Sequence, residues 1–220
     1  MMQDETELLF DYPANIAQKL LHHKIDIGLV PVAVLPSLKE YHIISDFCIG
    51  TTGTVASVCL FSDVPMAEIK EVLLDYQSRT SVALLKILLK DHWKLNPLLT
   101  AAENNFREQI GGFTAGLVIG DRAFEQRLKS KYIYDLGEAW VAMTGEPFVF
   151  AAWVSNRQLD NAFIEKFNAA TGAGFEHLDI IVARNPYKPF DLMAYYKENI
   201  SYQLDDAKRK ALQHFLQLMV

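Results

Sequence analysis

Two long apolar segments constrain the fold more than any other feature of this chain. Residues 55–61 and 148–154 are almost continuous runs of hydrophobic residues, which is typical of buried strands. Between them lies a long segment with strands, polar loops and helices of its own. We therefore predict an α/β protein with two lobes, two hinge crossings and a cleft between the lobes. Residues 1–62 plus 150–220 are expected to form lobe 1, and residues 63–149 lobe 2.

Composition excludes several classes of function. Half of the 220 residues are hydrophobic, the net charge is −6, and no basic run is present, which argues against a nucleic-acid partner. The acidic N-terminus lacks an apolar signal-peptide region, and the apolar runs are far shorter than the ~20 residues of a membrane span. We therefore expect a cytoplasmic protein with no membrane partner. Cys48 and Cys59 lack metal-ligand spacing and are expected to be buried thiols.

The pattern along the chain predicts alternating strands and helices. Gly172 and Gly174 are expected to interrupt the helical C-terminal part. Strands are predicted at residues 8–12, 25–31 (of the buried, parallel-sheet kind), 71–76, 115–121 and 132–136, and helices at 15–23, 82–90, 161–170, 175–183, 191–198 and 205–219.

A loop rich in glycine and threonine precedes the first long apolar strand. It reads Gly50-Thr51-Thr52-Gly53-Thr54 and offers hydroxyls and backbone N–H groups, which suit a small anion such as a carboxylate. A plain hairpin or strand-to-helix turn would use the same residue types. The sequence leaves both interpretations open.

A second candidate anion loop is Gln77-Ser78-Arg79-Thr80-Ser81, between a predicted strand and an amphipathic helix. The start of a helix exposes free N–H groups, and Arg79 adds a planar donor suited to a carboxylate or phosphate. The alternative is that Ser78 or Thr80 caps the helix and Arg79 is a solvated surface charge.

Asp121 ends a predicted strand, at a position where ligands of α/β proteins commonly bind. It could equally cap the helix that begins at Arg122. The chain has no Gly-x-Gly-x-x-Gly, Walker, His-Glu-x-x-His or Gly-x-Ser-x-Gly motif, and its six histidines are scattered. We therefore predict no metal site.

These motifs occur in an order that resembles the chorismate dehydratase family of the futalosine route to menaquinone. The resemblance rests on residues 26–31 (Asp-Ile-Gly-Leu-Val-Pro), 50–58, 75–81 (Asp-Tyr-Gln-Ser-Arg-Thr-Ser) and 120–123 (Gly-Asp-Arg-Ala), with 148–153 and 200–202 in the tail. It implies a two-lobed fold similar to type II periplasmic binding proteins. It also implies a lyase that converts chorismate to 3-[(1-carboxyvinyl)oxy]benzoate by removing water, without a metal or organic cofactor.

The resemblance also implies roles for particular residues. One carboxylate of chorismate would be held by the first loop, and the second loop would line the cleft from the other lobe. The base would be Asp121 or Glu138, or the substrate's own side-chain carboxylate. The implied substrate-binding residues are Thr51, Thr52, Gly53, Thr54 and Val55 from the first loop, and Ser78, Arg79, Thr80 and Ser81 from the second.

Two departures from the family pattern qualify these expectations. The family's first strand and its Ser-Tyr-Leu-Asn-like segment have no counterpart before Leu8, and Thr54 stands where the family commonly has proline. A lobe without that strand is expected to expose a sheet edge, to weaken catalysis, and to pair with a second copy in a homodimer. Alternative functions are a small-anion solute-binding or sensor protein of the same fold, a catalytically impaired homologue, and a sister enzyme acting on a cyclic futalosine derivative.

Overall fold

The computed structural model describes residue 2 and residues 4–219, and its strands form two separate sheets. In chain order the strands are β1 (Ile27–Pro31), β2 (His42–Thr51), β3 (Val58–Ser62), β4 (Glu71–Leu74), β5 (Leu98–Ala101), β6 (Thr114–Ile119), β7 (Tyr132–Asp135), β8 (Phe148–Ser155) and β9 (Ser201–Gln203). The α-helices are α1 (Pro13–Leu21), α2 (Thr80–Ile87), α3 (Asp121–Arg127), α4 (Leu136–Thr144), α5 (Asn161–Phe175), α6 (Leu178–Arg184), α7 (Leu192–Ala194) and α8 (Asp206–Leu218). Short 3-10 helices span Val32–Ser37, Met66–Glu68 and Phe106–Gln109, and π-helical turns span Leu88–His92 and Tyr195–Asn199.

The first sheet has the strand order β1-β8-β2-β9, and all of its neighbours are antiparallel. Helix α1 packs on β1, α5 on β2 and α8 on β8. Both ends of the described chain therefore belong to the first lobe.

The second sheet has the order β5-β4-β6-β3-β7. Strand β4 is parallel to both β5 and β6, whereas β3 is antiparallel to β6 and β7. Every residue of β3 is buried, and α3 and α4 pack against this strand. Burial of the whole strand explains the uninterrupted apolar pattern of its sequence.

The chain passes between the two sheets twice. The first crossing (residues 52–57) joins β2 to β3, and the second crossing (residues 136–147) joins β7 to β8 and contains α4. The buried ring of Trp140 in α4 lies 5.1 Å from the ring of Phe148 and 6.1 Å from that of Phe215 in α8. The apolar core therefore continues from the first lobe into the second crossing. The predicted α/β fold with two lobes and two crossings is confirmed.

Three aspartates explain where helices begin. Asp135, Asp160 and Asp205 are the N-cap residues of α4, α5 and α8, and each side chain accepts a hydrogen bond from a backbone N–H of the first turn. Such bonds satisfy N–H groups that have no partner within the helix. Gly145, with φ of 72°, ends α4 in the left-handed conformation that glycine adopts without strain.

The boundary between the lobes differs from the sequence prediction. Residues 58–62 were placed in lobe 1, but they form β3 in the middle of the second sheet, between β6 and β7. All of β8 lies in the first sheet, so the second boundary precedes residue 148. An apolar run shows that a strand is buried but does not say which sheet it joins.

Two strand predictions in the first lobe need correction. Residues 8–12 are not a strand, because no other strand pairs with them within the described residues. Leu8 and Phe10 are instead exposed, at 72% and 87%. Residues 27–31 do form a buried strand, but β1 is antiparallel to β8 rather than parallel.

The C-terminal half contains further differences. Gly172 and Gly174 do not interrupt the helix, because α5 is continuous from Asn161 to Phe175. A Cβ at Gly172 would lie 3.3 Å from the ring of Phe47, so this glycine lets α5 pack closely on β2. Helix α4 and strands β5 and β9 were not predicted, because β5 and β9 are short and α4 follows β7 without an intervening loop.

Both cysteines are free and buried, as predicted. Burial raises the pKa of the Cys48 thiol to about 12, so this group stays protonated near neutral pH. None of the helices in residues 4–219 is both long enough and apolar enough to cross a bilayer.

Candidate functional site

The candidate site lies along one edge of the second sheet. The carboxyl ends of β4 and β6 meet there because these strands are parallel neighbours. Strand β3 begins at this edge and β7 ends at it, because β3 is antiparallel to both β6 and β7. The edge therefore gathers four segments: residues 51–57, 75–81, 119–122 and 135–138. All of the candidate residues named from the sequence lie on these segments.

Thr51 shapes the first loop from inside. Its side chain is buried, its hydroxyl lies 3.1 Å from the carbonyl oxygen of Gly53, and its Oγ1 accepts the N–H of Gly53 at 3.2 Å. The side chains of Thr52 and Thr54 are exposed. The loop thus presents two threonine hydroxyls, while the third holds its backbone.

The end of this loop already binds a carboxylate of the protein, that of Asp135. The backbone N–H groups of Val55 and Ala56 donate to the two carboxylate oxygens of Asp135, at 3.0 and 2.7 Å. The side chain of Val55 is buried as well. This corrects the expectation that Val55 holds a substrate carboxylate, because its only donor is used within the fold.

Asp135 receives two further backbone donors. The N–H groups of Gly137 and Glu138 donate to its Oδ1 at 3.0 and 3.1 Å, and Nη2 of Arg127 lies 3.7 Å from its Oδ2. The residue is only 6% exposed. A buried carboxylate of this kind is stabilised by its N–H donors and by the nearby guanidinium.

A buried ion pair joins the ends of β4 and β6. Asp75 Oδ2 lies 2.6 Å from Nη2 of Arg122, and the carboxylate also accepts the N–H groups of Gln77 and Ile119. The Asp75 side chain has no exposed surface. Asp75 directly follows β4 and Asp135 is the last residue of β7, so an aspartate at the end of a strand marks both positions in the sequence.

The second loop divides into structural and accessible residues. Ser78 Oγ accepts the N–H of Ser81 at 3.1 Å, which satisfies one donor at the start of α2. Thr80 donates its hydroxyl to the carbonyl of Phe150 at 3.0 Å and accepts the N–H of Ala33 at 3.2 Å. Thr80 and Ser81 are buried, so they are corrected from ligand-binding to structural positions. The side chain of Arg79 is exposed.

Ser78 and Arg79 border a cavity of about 580 Å³ at the junction of the lobes. Ala33 of the first lobe and Leu218 and Met219 at its C-terminal end form one side of the cavity. Helix α2 and the π-helical turn after it form the other side, which includes two lysines. The lining residues on this side are Val82, Ala83, Lys86, Ile87, Lys90 and Asp91. The first loop and Asp121 do not line this cavity.

The two candidate bases are exposed carboxylates on neighbouring segments. Asp121 is the first residue of α3; the N-cap is Gly120, so the capping role considered for Asp121 is not observed. Burial, and secondly the charge of Asp121, raises the pKa of Tyr196. Glu138 lies in the first turn of α4, and its side chain makes no hydrogen bond within the described residues.

The C-terminal tail, which comprises residues 185–205 between α6 and α8, adds contacts that the sequence did not predict. Tyr195 Oη lies 2.8 Å from Ser57 Oγ, and Asn199 donates to the carbonyl of Thr54 at 3.0 Å. Tyr187 donates its hydroxyl to the carbonyl of Asp121 at 3.0 Å. The tail therefore contacts two of the four edge segments. The adjacent tyrosines 195 and 196 are the sequence feature that could have indicated these contacts.

The arrangement offers hydroxyl donors, one accessible guanidinium and two carboxylates at a junction between lobes. Such a set can bind an anionic molecule and exchange protons with it. Within residue 2 and residues 4–219, no three His, Cys, Asp or Glu residues are grouped as a metal site would require.

Solved structures similar to this chain share its fold at low sequence identity. A protein of Archaeoglobus fulgidus superposes with a TM-score of 0.66 at 15% identity, over 96% of this chain and 84% of its own. An ABC transporter protein of Parabacteroides distasonis gives 0.59 at 15% identity, over 99% and 85%. The periplasmic aliphatic sulphonate binding protein SsuA of Escherichia coli gives 0.59 at 12% identity, over 95% and 79%. The fold is therefore the two-lobed one of periplasmic binding proteins.

Sequence comparison extends the relationship from fold to family. A chorismate dehydratase of Thermus thermophilus is 27% identical over an aligned length of 236 residues, and the alignment covers 96% of this chain and 86% of that protein. The family model described as menaquinone biosynthesis matches residues 1–220. With its full length matched and its two-lobed fold in agreement, the chain belongs to the menaquinone biosynthesis family.

Proposed function

We propose that this protein is a chorismate dehydratase, a hydro-lyase that converts chorismate to 3-[(1-carboxyvinyl)oxy]benzoate in menaquinone biosynthesis. The observation that carries the proposal is the match to the Thermus thermophilus enzyme along nearly the whole chain. The chemistry of the sheet edge supports it, because chorismate carries two carboxylates and the edge offers exposed donors.

Substrate binding is assigned to the accessible donors. Arg79 binds one carboxylate of chorismate in a bidentate manner, through two parallel hydrogen bonds, since a guanidinium matches the geometry of that group. The hydroxyls of Thr52, Thr54 and Ser78 orient the rest of the substrate. The structure supports this division because these four side chains are the exposed or half-buried ones among the candidates.

The proposed reaction removes one proton and one hydroxide, which leave together as water. The hydrogen on the ether-bearing ring carbon is vinylogous to the ring carboxylate, so its removal gives a delocalised anion. Loss of the neighbouring hydroxyl then makes the ring aromatic. Donors fixed at the ring carboxylate stabilise that anion. The elimination is redox-neutral and therefore requires no oxidant.

Asp121 is our first candidate for the base, because its side chain is exposed at the sheet edge and its backbone carbonyl accepts the Tyr187 hydroxyl of the tail. Glu138 is the second candidate, and the substrate's own side-chain carboxylate is a third. Replacement of each carboxylate by the corresponding amide separates these possibilities. A loss of kcat at one position identifies the base, and full activity of both variants favours the substrate carboxylate.

A binding or sensing role is the alternative function. It is favoured by one observation, the similarity of the fold to proteins named as a transporter component and a sulphonate binding protein. Such a protein would bind chorismate or another small anion without changing it.

The deciding experiment incubates the purified protein with chorismate and follows an aromatic product by absorbance and the loss of one water by mass spectrometry. We expect turnover, and a decrease of kcat/KM by about tenfold or more in Arg79→Gln. Arg157→Gln is the matched control, because Arg157 is an exposed first-lobe arginine whose ion pair is with the exposed Asp26. Binding without turnover would favour the alternative function. A protein that neither binds nor converts chorismate would contradict both proposed functions.

A further inference from the structure

The two crossings between the lobes share one buried carboxylate. Oδ1 and Oδ2 of Asp135 accept the N–H groups of Val55 and Ala56 in the first crossing. Oδ1 also accepts the N–H groups of Gly137 and Glu138 at the start of the second crossing. A displacement of either crossing would leave backbone donors or the carboxylate without partners, which is costly in a buried place.

The crossings are also in direct contact. A Cβ added to Gly137 would lie 2.7 Å from the carbonyl oxygen of Gly53 and 2.8 Å from Cγ2 of Thr51. The first turn of α4 therefore touches the Gly/Thr loop, with Asp135 beside the contact. The position of this loop depends on how the crossings are held together.

The first crossing contains a strained turn at Ala56. Its φ is 62°, although alanine is not favoured in that region. The N–H of Ser57 donates to the carbonyl of Val55 at 2.7 Å, so residues 55–57 form a three-residue γ-turn. Backbone strain of this kind persists only where the surrounding contacts determine it, and it clusters at functional sites.

Contacts on both sides hold this turn. Asp135 accepts the N–H of Ala56, and Nε of Arg127 donates to its carbonyl oxygen at 3.0 Å. Ala56 separates two parts of the candidate site, Thr52–Thr54 before it and the Ser57–Tyr195 hydroxyl pair after it. A relaxed Ala56 would change the direction of the chain between them.

We propose that Asp135 and Arg127 are positioning residues, which hold the turn at Ala56 and thereby fix the Gly/Thr loop relative to the Ser57–Tyr195 pair for the dehydration of chorismate. The catalytic part of this inference rests on the proposed function. The structural part, that the two side chains impose the conformation of Ala56, stands on the contacts above.

The substitution Asp135→Asn distinguishes the role of Asp135 in holding the turn from its role as the helix cap. The amide oxygen can keep the three N–H donors that Oδ1 receives, whereas the amide nitrogen, itself a donor, would face the N–H of Ala56. We expect kcat to fall by about tenfold or more with a smaller change in KM, because misplaced groups affect the reacting geometry more than binding. Arg127→Met removes the donor to the Ala56 carbonyl and the guanidinium beside Oδ2 of Asp135, leaves the cap bonds to Oδ1 in place, and should act in the same direction.

Ala56→Gly provides the rescue. Glycine adopts a φ of 62° without strain, so a turn that contains it depends less on Asp135 and Arg127. Adding Ala56→Gly to either variant should restore kcat to within about threefold of wild type. Asp160→Asn is the control, since Asp160 caps α5, which packs on β2 of the first lobe, and should leave kcat unchanged. Losses that Ala56→Gly does not reduce would overturn the proposal.

Amide hydrogen exchange measured by NMR tests the same inference without turnover. In Asp135→Asn the N–H of Ala56 should exchange about tenfold faster or more, while those of Gly137 and Glu138 stay protected. This result in a protein that does not convert chorismate would mean that the proposed function fails and the hold on the turn stands. Unchanged exchange at Ala56 would overturn the inference even if the enzyme is active.

Discussion

The hydroxyl of Tyr195 lies 2.8 Å from that of Ser57, and this contact joins the C-terminal tail to the first crossing. The ring of Tyr195 also packs edge-on against Phe124 of α3, with 5.1 Å between ring centroids. Phe124 in turn stacks on Phe190 of the tail at 4.3 Å. Together with the hydrogen bond from Tyr187 to the carbonyl of Asp121, these contacts fix the tail to the first crossing and to α3 of the second lobe.

Replacing Tyr195 with phenylalanine tests the polar part of this attachment. The buried hydroxyl of Ser57 loses its partner, so we expect the free energy of unfolding to fall by about 1 kcal/mol at about pH 8. Urea unfolding measures the change. Tyr12→Phe is the control, because Tyr12 is 63% exposed and should leave the stability unchanged. Equal stabilities for the two variants would contradict the role of this hydrogen bond.

The same variant should alter the response to alkaline pH. Burial raises the pKa of Tyr195 from its ordinary value of 10.0 to about 12. A pKa that is higher in the folded state contributes stability below about pH 10, and this contribution is lost as the pH rises through about 12. Between about pH 9 and pH 11 the wild-type protein should therefore lose more stability than Tyr195→Phe. A larger loss in the variant would show the opposite sign.

Local sequence patterns predicted the strands well where burial on both faces left a clear signal. β3 and β8 are examples, because an uninterrupted apolar run requires cover on both sides. The same patterns gave neither the antiparallel pairing of β1 nor the sheet to which β3 belongs, since pairing is decided by distant residues. Residues 8–12 have a strand-like sequence, but a strand needs a neighbour, and none pairs with them in the described part of the chain.

The sequence predicted which loops form the candidate site, but not which hydrogen-bond donors in those loops remain free. Topology brought all of the named segments to one sheet edge, as expected for loops that adjoin neighbouring strands. The sequence could not show that Asp135 uses the N–H of Val55, or that Thr80 bonds to Phe150. These partners are distant along the chain. Which hydroxyls and N–H groups stay free is therefore a property of the folded structure.

Asp75→Asn should strongly destabilise the protein. The substitution removes the charge that pairs with Arg122 at 2.6 Å, in a place where the carboxylate has no exposed surface. Breaking such a pair typically costs about 3 kcal/mol, because the remaining charge is poorly solvated. We expect a loss of this size in the free energy of unfolding from urea titration.

The control for Asp75 is another aspartate that pairs with an arginine. Asp26 lies 2.9 Å from Arg157, but both side chains are more than half exposed, at 66% and 61%. Asp26→Asn should change the stability by less than about 0.5 kcal/mol. Similar losses in the two variants would show that burial of Asp75 does not determine its contribution.

Thr80→Val tests the hydrogen bonds between the lobes. Valine keeps the shape of threonine but leaves the carbonyl of Phe150 and the N–H of Ala33 without this partner. We expect a destabilisation of about 2 kcal/mol. Thr171→Val is the matched control, because the Thr171 hydroxyl donates to a carbonyl of its own helix, and a change below about 0.5 kcal/mol is expected there. A loss confined to the control would refute the contact.

Gly137→Ala should force the two crossings apart. Alanine favours a helix over glycine by up to about 1 kcal/mol, but here its Cβ would lie 2.7 Å from a backbone oxygen of the first crossing. Backbone atoms cannot yield as a flexible side chain can, so we expect a net loss of about 2 kcal/mol in unfolding free energy. Gly174→Ala makes the same change within α5, where no atom lies within 4 Å of the added Cβ, and it should stabilise the protein slightly. Opposite signs for these two glycines in one urea titration series are the expected result; a stabilising Gly137→Ala would mean that the crossings are not in contact.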